Sequence, residues 1–303
     1  MSDEKAAESI RNDGIDILVD LAGHTGNNRI LLFVRKPAPV QVTWIGYLAT
    51  TGLSSIDYRI ADMYTDPPGM TEHFFTEKLL QLPESFVCYL PDKDSPNFSK
   101  LPALTAGHIT FGSFNNFARI SHEVISVWSK ILQTVPNSRL ILKAFNFYDS
   151  TTRQNIIDMF TQRGISSERI VLLPWEKSPK HLESYNLVDI GLDTFPCNGG
   201  VTTCEAFWMG VPVITFAGTA YDSRVGISLL SNIGLPDLVA KTPDEYISIA
   251  VNLAKDLNRL QSLREKLRDM MSHSPLCDAK RFIDNLENAY RRIWENWCQS
   301  DQV

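Results

Sequence analysis

The stretch Asp189–Gly218, DIGLDTFPCNGGVTTCEAFWMGVPVITFAG, decides the fold. Apolar Leu187–Leu192 is short enough for a buried parallel strand, and the cluster Asp193, Pro196, Asn198, Gly199 and Gly200 ends it. Thr202 then opens an amphipathic helix, and a second apolar run, Val211–Phe216, follows at once. Strand, glycine-rich turn, helix and strand make a βαβ unit, in which the free N–H groups and partial positive charge of the helix start face the space above the sheet. Such an end attracts phosphate. Gly199 and Gly200 let the backbone approach a ligand closely, while Thr202 and Thr203 add hydroxyl donors. Glu205, one turn into the helix, lies within reach of a ribose hydroxyl. The alternative is an ordinary βαβ turn whose glycines serve geometry alone.

The same alternation extends to both sides. Upstream lie the strand Ile109–Phe114, the loop Asn115–Arg119 and a helix from Ser121, its N-cap, to Thr134, with Val124, Ile125, Val127, Trp128, Ile131 and Leu132 at helical spacing. Strand Arg139–Ala144, helix Thr151–Gln162, strand Ile170–Leu173 and a short helix at Ser178–Tyr185 complete a βαβαβα order. Downstream, helices are predicted over Arg224–Ile233, Pro243–Asn258, Leu260–Met271 and Ala279–Trp297. Nearer the start, strands are predicted at Ile15–Leu21, Val40–Ile45 and Ile56–Ala61, with the loop Gly46–Gly52 after the second. Polar, proline-containing Asp92–Thr105 reads as a linker between a domain over 1–104 and one over 105–303. The expected class is α/β, with two Rossmann-like domains and a ligand at the carboxyl ends of the strands, in the cleft between them.

Composition excludes several functions. A chain of 303 residues that is 44% hydrophobic buries a full core, and a net charge of −6 with no basic stripe argues against a nucleic-acid partner. The longest apolar runs are strand-sized, so no membrane span is expected, and Met1–Asp13 is too charged for a signal peptide. Five cysteines without CxxC spacing suggest neither a disulfide framework nor a metal site, and the expected compartment is the cytosol. Cys197 and Cys204 read as small packing residues, since no His neighbours them in sequence.

Three strand ends converge on an anionic ligand: Asn116 and Arg119, then Lys177, Lys180 and His181, then Asn198–Glu205. No GxGxxG follows the first strand of either domain and no GxxxxGK[ST] occurs, which disfavours a dinucleotide oxidoreductase and a P-loop NTPase. A nucleotide with a diphosphate leaving group remains. Arg119 and the helix start would stabilise its developing charge without a metal or other cofactor, and His181 would stack on the base.

SFNNFARI, PNSRLIL, DIGLDTFPCNGGVTTCEAFWMGVPVIT, RKPAPVQVTWIGY and SPLCDAKRF together resemble the catalytic region of the protein O-GlcNAc transferase and SPINDLY family, over about Asp13 to Trp297. The resemblance implies a GT-B type glycosyltransferase that moves a sugar from a nucleotide sugar to Ser or Thr hydroxyls of proteins, with inversion and without metal. UDP-GlcNAc is the expected donor, and GDP-fucose the alternative. By the same resemblance Asn116 and the catalytic Arg119 reach the diphosphate or sugar, His181 meets the base, and the turn with Asn198, Gly199, Gly200, Thr202 and Thr203 holds the diphosphate. Glu205 meets the ribose and Gly46 the sugar.

There are departures. The family usually carries Lys where Arg119 stands, Pro-Gly at Leu48-Ala49, and often Thr at Val201. Arg keeps the charge with a different geometry. Tetratricopeptide repeats and an opening strand–helix–strand portion, both usual in the family, are not in the sequence, so the first domain is expected to be incomplete. That expectation keeps a further alternative open, a non-catalytic nucleotide-binding fragment or scaffold.

Overall fold

The computed structural model describes residues 1–300, and its contacts divide the chain into two compact units. The first comprises Met1–Cys88, Thr219–Asp222 and the chain from Asp278 onward, and the second Tyr89–Gly218 and Ser223–Cys277.

In the first unit, strands β1 (Ile17–Asp20), β2 (Val40–Thr43), β3 (Tyr58–Asp62) and β4 (Lys78–Leu82) form a parallel sheet in that order. Val19 pairs with Val42 and Ile60 with Leu80, so apolar side chains share faces across the sheet. One cluster joins Ala6 and Ala7 of α1 (Asp3–Asn12) to Ile30, Leu32 and Phe33 of α2 (Ile30–Val34). The sheet residues Val40, Val42, Ile60, Leu80 and Leu82 pack instead on Phe282, Ala289 and Ile293 of the C-terminal helix Ala279–Ser300. Full burial of a side chain such as Ile293 contributes about 1.5–3 kcal/mol, which fastens that helix to this unit. Trp44 stacks on Phe282 at 5.9 Å and donates its Nε1 to the Phe86 carbonyl. His24 and Arg29 serve local structure, the first bonded to the Thr51 carbonyl at 2.8 Å and the second to Asp3 at 2.6 Å.

The second unit holds β5 (Thr110–Ser113), β6 (Arg139–Ala144), β7 (Ile170–Pro174), β8 (Ile190–Leu192), β9 (Val213–Phe216) and β10 (Val239–Ala240). They form one parallel sheet in the order β10-β9-β8-β5-β6-β7. Helices cover it on both faces, so strand residues such as Phe111, Leu140, Leu142, Ile190 and Ile214 are fully buried and the strands read as continuous apolar runs. Connections from β5 run outward to β6 and β7, and the chain then returns to the other side of β5 as β8. The loops after β5 and β8 therefore lie side by side, at the switch point where open α/β sheets take ligands.

Several elements differ from expectation. Of the run Leu187–Leu192 only Ile190–Leu192 is strand, because Ser184–Leu187 closes a helical turn with the Val188 N–H on the Tyr185 carbonyl. Asp92–Thr105 is not a loose linker. Ser99 donates its N–H to the Asn186 side chain, and Arg264 and Arg268 donate to the Ser99 and Pro96 carbonyls, which ties this segment to the second unit. Among the described residues no helix is long and apolar enough to cross a membrane.

Candidate active site

Asp193 directly follows β8, with its side chain buried beneath the turn. Its carboxylate accepts from the Gly199 N–H at 2.7 Å, the Thr194 N–H at 2.9 Å, the Asn115 amide at 2.8 Å and the Thr215 hydroxyl at 2.7 Å. One acid thus ties together the ends of β5, β8 and β9. Asn198 locks the rest of the turn, donating to the Thr194 carbonyl and accepting from the Gly226 N–H.

The turn delivers the chain into the helix Val201–Trp208, preceded by Gly200, which offers no side-chain cap. Its first N–H groups are left for whatever binds there. Gly199 and Gly200 are glycines for different reasons. A Cβ on Gly199 would lie 2.6 Å from Asn115 Oδ1 and from Thr203 Oγ1, whereas one on Gly200 would meet nothing within 4 Å. Thr202 donates its hydroxyl to Asn115 Oδ1 at 2.5 Å, and Thr203 is buried beside it. Arg119 ends the helical turn Phe117–Arg119 and donates Nη1 to the Asn198 carbonyl at 2.5 Å.

A second cluster lies at the carboxyl ends of β6 and β7 and along the helix Val201–Trp208. His181, on the short helix Lys180–Glu183, is buried, with Nε2 3.1 Å from Glu205 Oε2 and Nδ1 without a partner. Tyr185 donates to the Thr202 carbonyl at 3.0 Å, and burial together with the Glu205 charge holds its phenol well above its usual range, so it stays a neutral donor. Burial also pushes the Cys204 thiol upward, which leaves it a packing residue and not a nucleophile.

The structure therefore brings Arg119, Asn198, Gly199, Gly200, Thr202 and Thr203 to one turn, and Glu205 and His181 to one pair. Asn116 is exposed and caps its own turn by accepting from the Ala118 N–H. Its neighbour Asn115 takes the buried position. Gly46 sits in the first unit, where a Cβ would lie 1.9 Å from the Leu21 carbonyl oxygen; buried Arg59 braces that loop by donating to the Tyr47 and Ala49 carbonyls. Lys177 and Lys180 are exposed. Sequence reasoning missed Asp193 as the hub and Lys143 as a buried cation. The only signal for Lys143 was a charge inside the apolar strand RLILKA. Among the described residues no group of three or more His, Cys, Asp or Glu side chains is gathered as metal ligands are.

Burial lifts Asp193 to about 6, outweighing the donors that favour its charged form. A carboxyl raised in the folded state holds its proton while the unfolded one ionises, so its contribution to stability is full below about pH 4 and is lost as pH rises through about 6. A shift of this size corresponds to about 3 kcal/mol. The stability difference between the parent and Asp193→Asn is expected to shrink by about 2 kcal/mol between pH 4.5 and 7.5, since the unfolded carboxyl is already largely ionised at pH 4.5. Denaturant titrations across the range check it, and a difference independent of pH would reject it.

A model of glycosyl transferase family 41 matches residues 1–95 and 97–286. Proteins named probable UDP-N-acetylglucosamine–peptide N-acetylglucosaminyltransferase SPINDLY are similar over almost the whole chain. The one from Petunia hybrida is 46% identical over 302 residues, 99% of this chain and 32% of that protein. The Arabidopsis thaliana protein of the same activity name, SEC, is 31% identical and is matched over 31% of its length. The chain thus spans about a third of the length of the curated relatives it matches. Among solved structures, a variant of the Thermobaculum terrenum O-GlcNAc transferase superposes with a TM-score of 0.95 at 40% identity, covering 99% of this chain and 57% of that one. Anabaena HepE, solved with UDP and glucose, shares the fold at a TM-score of 0.55 and 13% identity, covering 98% of this chain and 81% of that one.

Proposed function

The chain belongs to glycosyl transferase family 41, and from that premise we propose that it transfers N-acetylglucosamine from UDP-GlcNAc to Ser or Thr hydroxyls of proteins, with inversion and without a metal. The observation that carries this reading is the turn Asn198–Thr203, which Asp193 holds rigid at an uncapped helix start with Arg119 beside it. Fixed donors aimed at one place suit a diphosphate, and they suit it best as its charge grows. The names of the similar proteins support both the donor and the acceptor class.

In the proposed reaction the hydroxyl oxygen attacks the anomeric carbon from the side opposite the diphosphate. A new C–O bond forms as the bond to the β-phosphate oxygen breaks, UDP leaves with the electron pair, and the hydroxyl proton passes to solvent. Arg119 and the N–H groups at the start of the helix Val201–Trp208 meet the charge on the leaving oxygens. Glu205 holds the ribose hydroxyls and His181 the base. The five cysteines lack the spacing of a disulfide framework, which supports a reducing compartment such as the cytosol.

Thermal shift and calorimetry with UDP and GDP, followed by transfer from UDP-GlcNAc or GDP-fucose to a Ser/Thr peptide library, test the reading. UDP at ~100 times its dissociation constant should stabilise the chain by about 2.7 kcal/mol. Binding of neither nucleotide would overturn the site. Transfer of fucose instead of GlcNAc would overturn the donor, and binding without any transfer would favour a non-catalytic nucleotide-binding role.

A further inference from the structure

Arg59 is the second residue of β3, placed between Thr43 of β2 and Leu79 of β4 by the register, and it is 1% exposed. A cation inside a sheet is costly, and an apolar side chain of similar size often serves stability as well or better. Nη1 donates to the Tyr47 carbonyl at 3.0 Å and to the Ala49 carbonyl at 2.9 Å, while Nε and Nη2 are buried without a hydrogen-bond partner. Ring faces meet the charge: the guanidinium carbon lies 4.4 Å from the centre of the Tyr221 ring and 5.2 Å from that of Phe75. Tyr221, in the segment Thr219–Asp222 of the first unit, packs edge-on against Phe86 at 5.3 Å. The guanidinium is thus clamped between rings with its fork on two carbonyls.

Both carbonyls belong to the loop Gly46–Gly52. Buried Glu77 holds the far end of that loop, accepting from the Thr51 N–H at 2.7 Å, from the Thr50 hydroxyl at 2.8 Å and from the Thr51 hydroxyl. The chain enters the loop through Ile45 at a φ of 60°, a left-handed conformation that β-branched residues rarely adopt. Strain of this kind persists only where its surroundings over-determine it, and it gathers at working sites. A buried cation, a buried carboxylate and a strained isoleucine are all committed to the shape of one loop. That loop follows the carboxyl end of β2, where parallel sheets take their ligands.

We propose that Arg59 is a positioning residue for sugar transfer: it fixes the Tyr47–Ala49 backbone, so that the loop offers a preformed surface to the sugar and the incoming hydroxyl. The proposal rests on the transferase reading above. Arg59 acts on the alignment of the reacting groups, and the nucleotide is left to the turn Asn198–Thr203 of the second unit.

Arg59→Met, which keeps the apolar stem and removes the donors, tests it. Turnover in transfer from UDP-GlcNAc to a Ser/Thr peptide should fall by about 10–100-fold, the loss expected from a misplacement of about 1 Å, while UDP affinity by calorimetry stays within about twofold of the parent. Amide exchange read by mass spectrometry should quicken at least about tenfold over residues 47–52 and stay as in the parent over β1–β4. Arg59→Lys keeps a cation over the Tyr221 ring and a donor for the carbonyls, so it should recover at least about threefold of the turnover that methionine loses. Should methionine unfold the chain, lysine carries the same split, because its shorter reach loosens the hold on both carbonyls. Parent-like turnover or parent-like loop exchange in folded Arg59→Met overturns the proposal. Exchange that quickens throughout the sheet, with turnover and UDP affinity falling together, makes Arg59 a structural residue and overturns it as well. If the parent transfers no sugar while Arg59→Met still loosens the loop, it is the transferase reading that fails.

Discussion

Gly200→Asp is expected to abolish nucleotide binding, weakening UDP or GDP by about a thousandfold, in a protein that melts at or slightly above the parent's temperature. A new carboxylate about 4 Å from a phosphate charge costs about 4 kcal/mol at an effective dielectric of about 20, and each 1.4 kcal/mol is about tenfold in affinity. The fold should tolerate the change, because a Cβ at Gly200 meets no heavy atom within 4 Å and its φ of −118° is open to other residues. A carboxylate at a helix start adds about 0.3–1 kcal/mol to stability through the helix dipole, so binding and stability should move in opposite directions. Gly200→Ala, with bulk and no charge, should lose far less affinity. Calorimetry on both folded variants decides: an unchanged affinity for UDP and GDP in Gly200→Asp would place the diphosphate elsewhere.

The contrast between the two glycines marks what the sequence carried and what it withheld. The pair GG after a buried strand was enough to announce a close backbone approach, since strand, turn and helix follow each other within about a dozen residues and each leaves a local trace. Which glycine is required by the fold and which leaves room for a ligand depends on Asn115, 84 residues before Gly199 in the chain, and no local pattern records that. The choice between Asn115 and Asn116 is of the same kind. The two are identical in type, and what separates them is partners far away in the chain: Asp193 and Thr194 hold the buried Asn115 amide, while exposed Asn116 turns to the Ala118 N–H.

Asp193 was legible as a turn residue and illegible as a hub. Its four donors come from residues that β5, β8 and β9 bring together, and a strand-end Asp looks the same in sequence whether it faces water or three chain segments. The strand Lys78–Leu82 leaves little trace in the sequence, because an edge strand that is half-exposed mixes Lys78 and Gln81 with its leucines and so lacks a clean apolar run. The run Leu187–Leu192 erred the other way, its apolar length overstating the strand where the Tyr185 carbonyl turns the chain.

Arg119→Ala should lower turnover by about 10²–10³ while changing donor affinity far less, the loss expected when one donor to a developing oxyanion is removed. The guanidinium is placed before the reaction begins. Asn116 caps the turn that carries it, and the Asn198 carbonyl that it holds belongs to a segment fixed by Thr194 and Gly226. Nη1 is anchored on the Asn198 carbonyl, which leaves the other nitrogens of the guanidinium as donors for a ligand at the turn. A group held this way gains most from charge that appears only as the bond to the diphosphate breaks, and interactions made only then raise turnover without tightening ground-state binding. Arg119→Lys tests the charge apart from the fork: lysine keeps the cation but has no planar pair of donors to divide between Asn198 and a phosphate oxygen, so it should recover part of the turnover that alanine loses. The measurement is steady-state transfer together with calorimetric donor affinity for both variants. Turnover equal to the parent in Arg119→Ala would remove the residue from the chemistry, and turnover and affinity that fall in step would make it a binding residue with no special hold on the transition state.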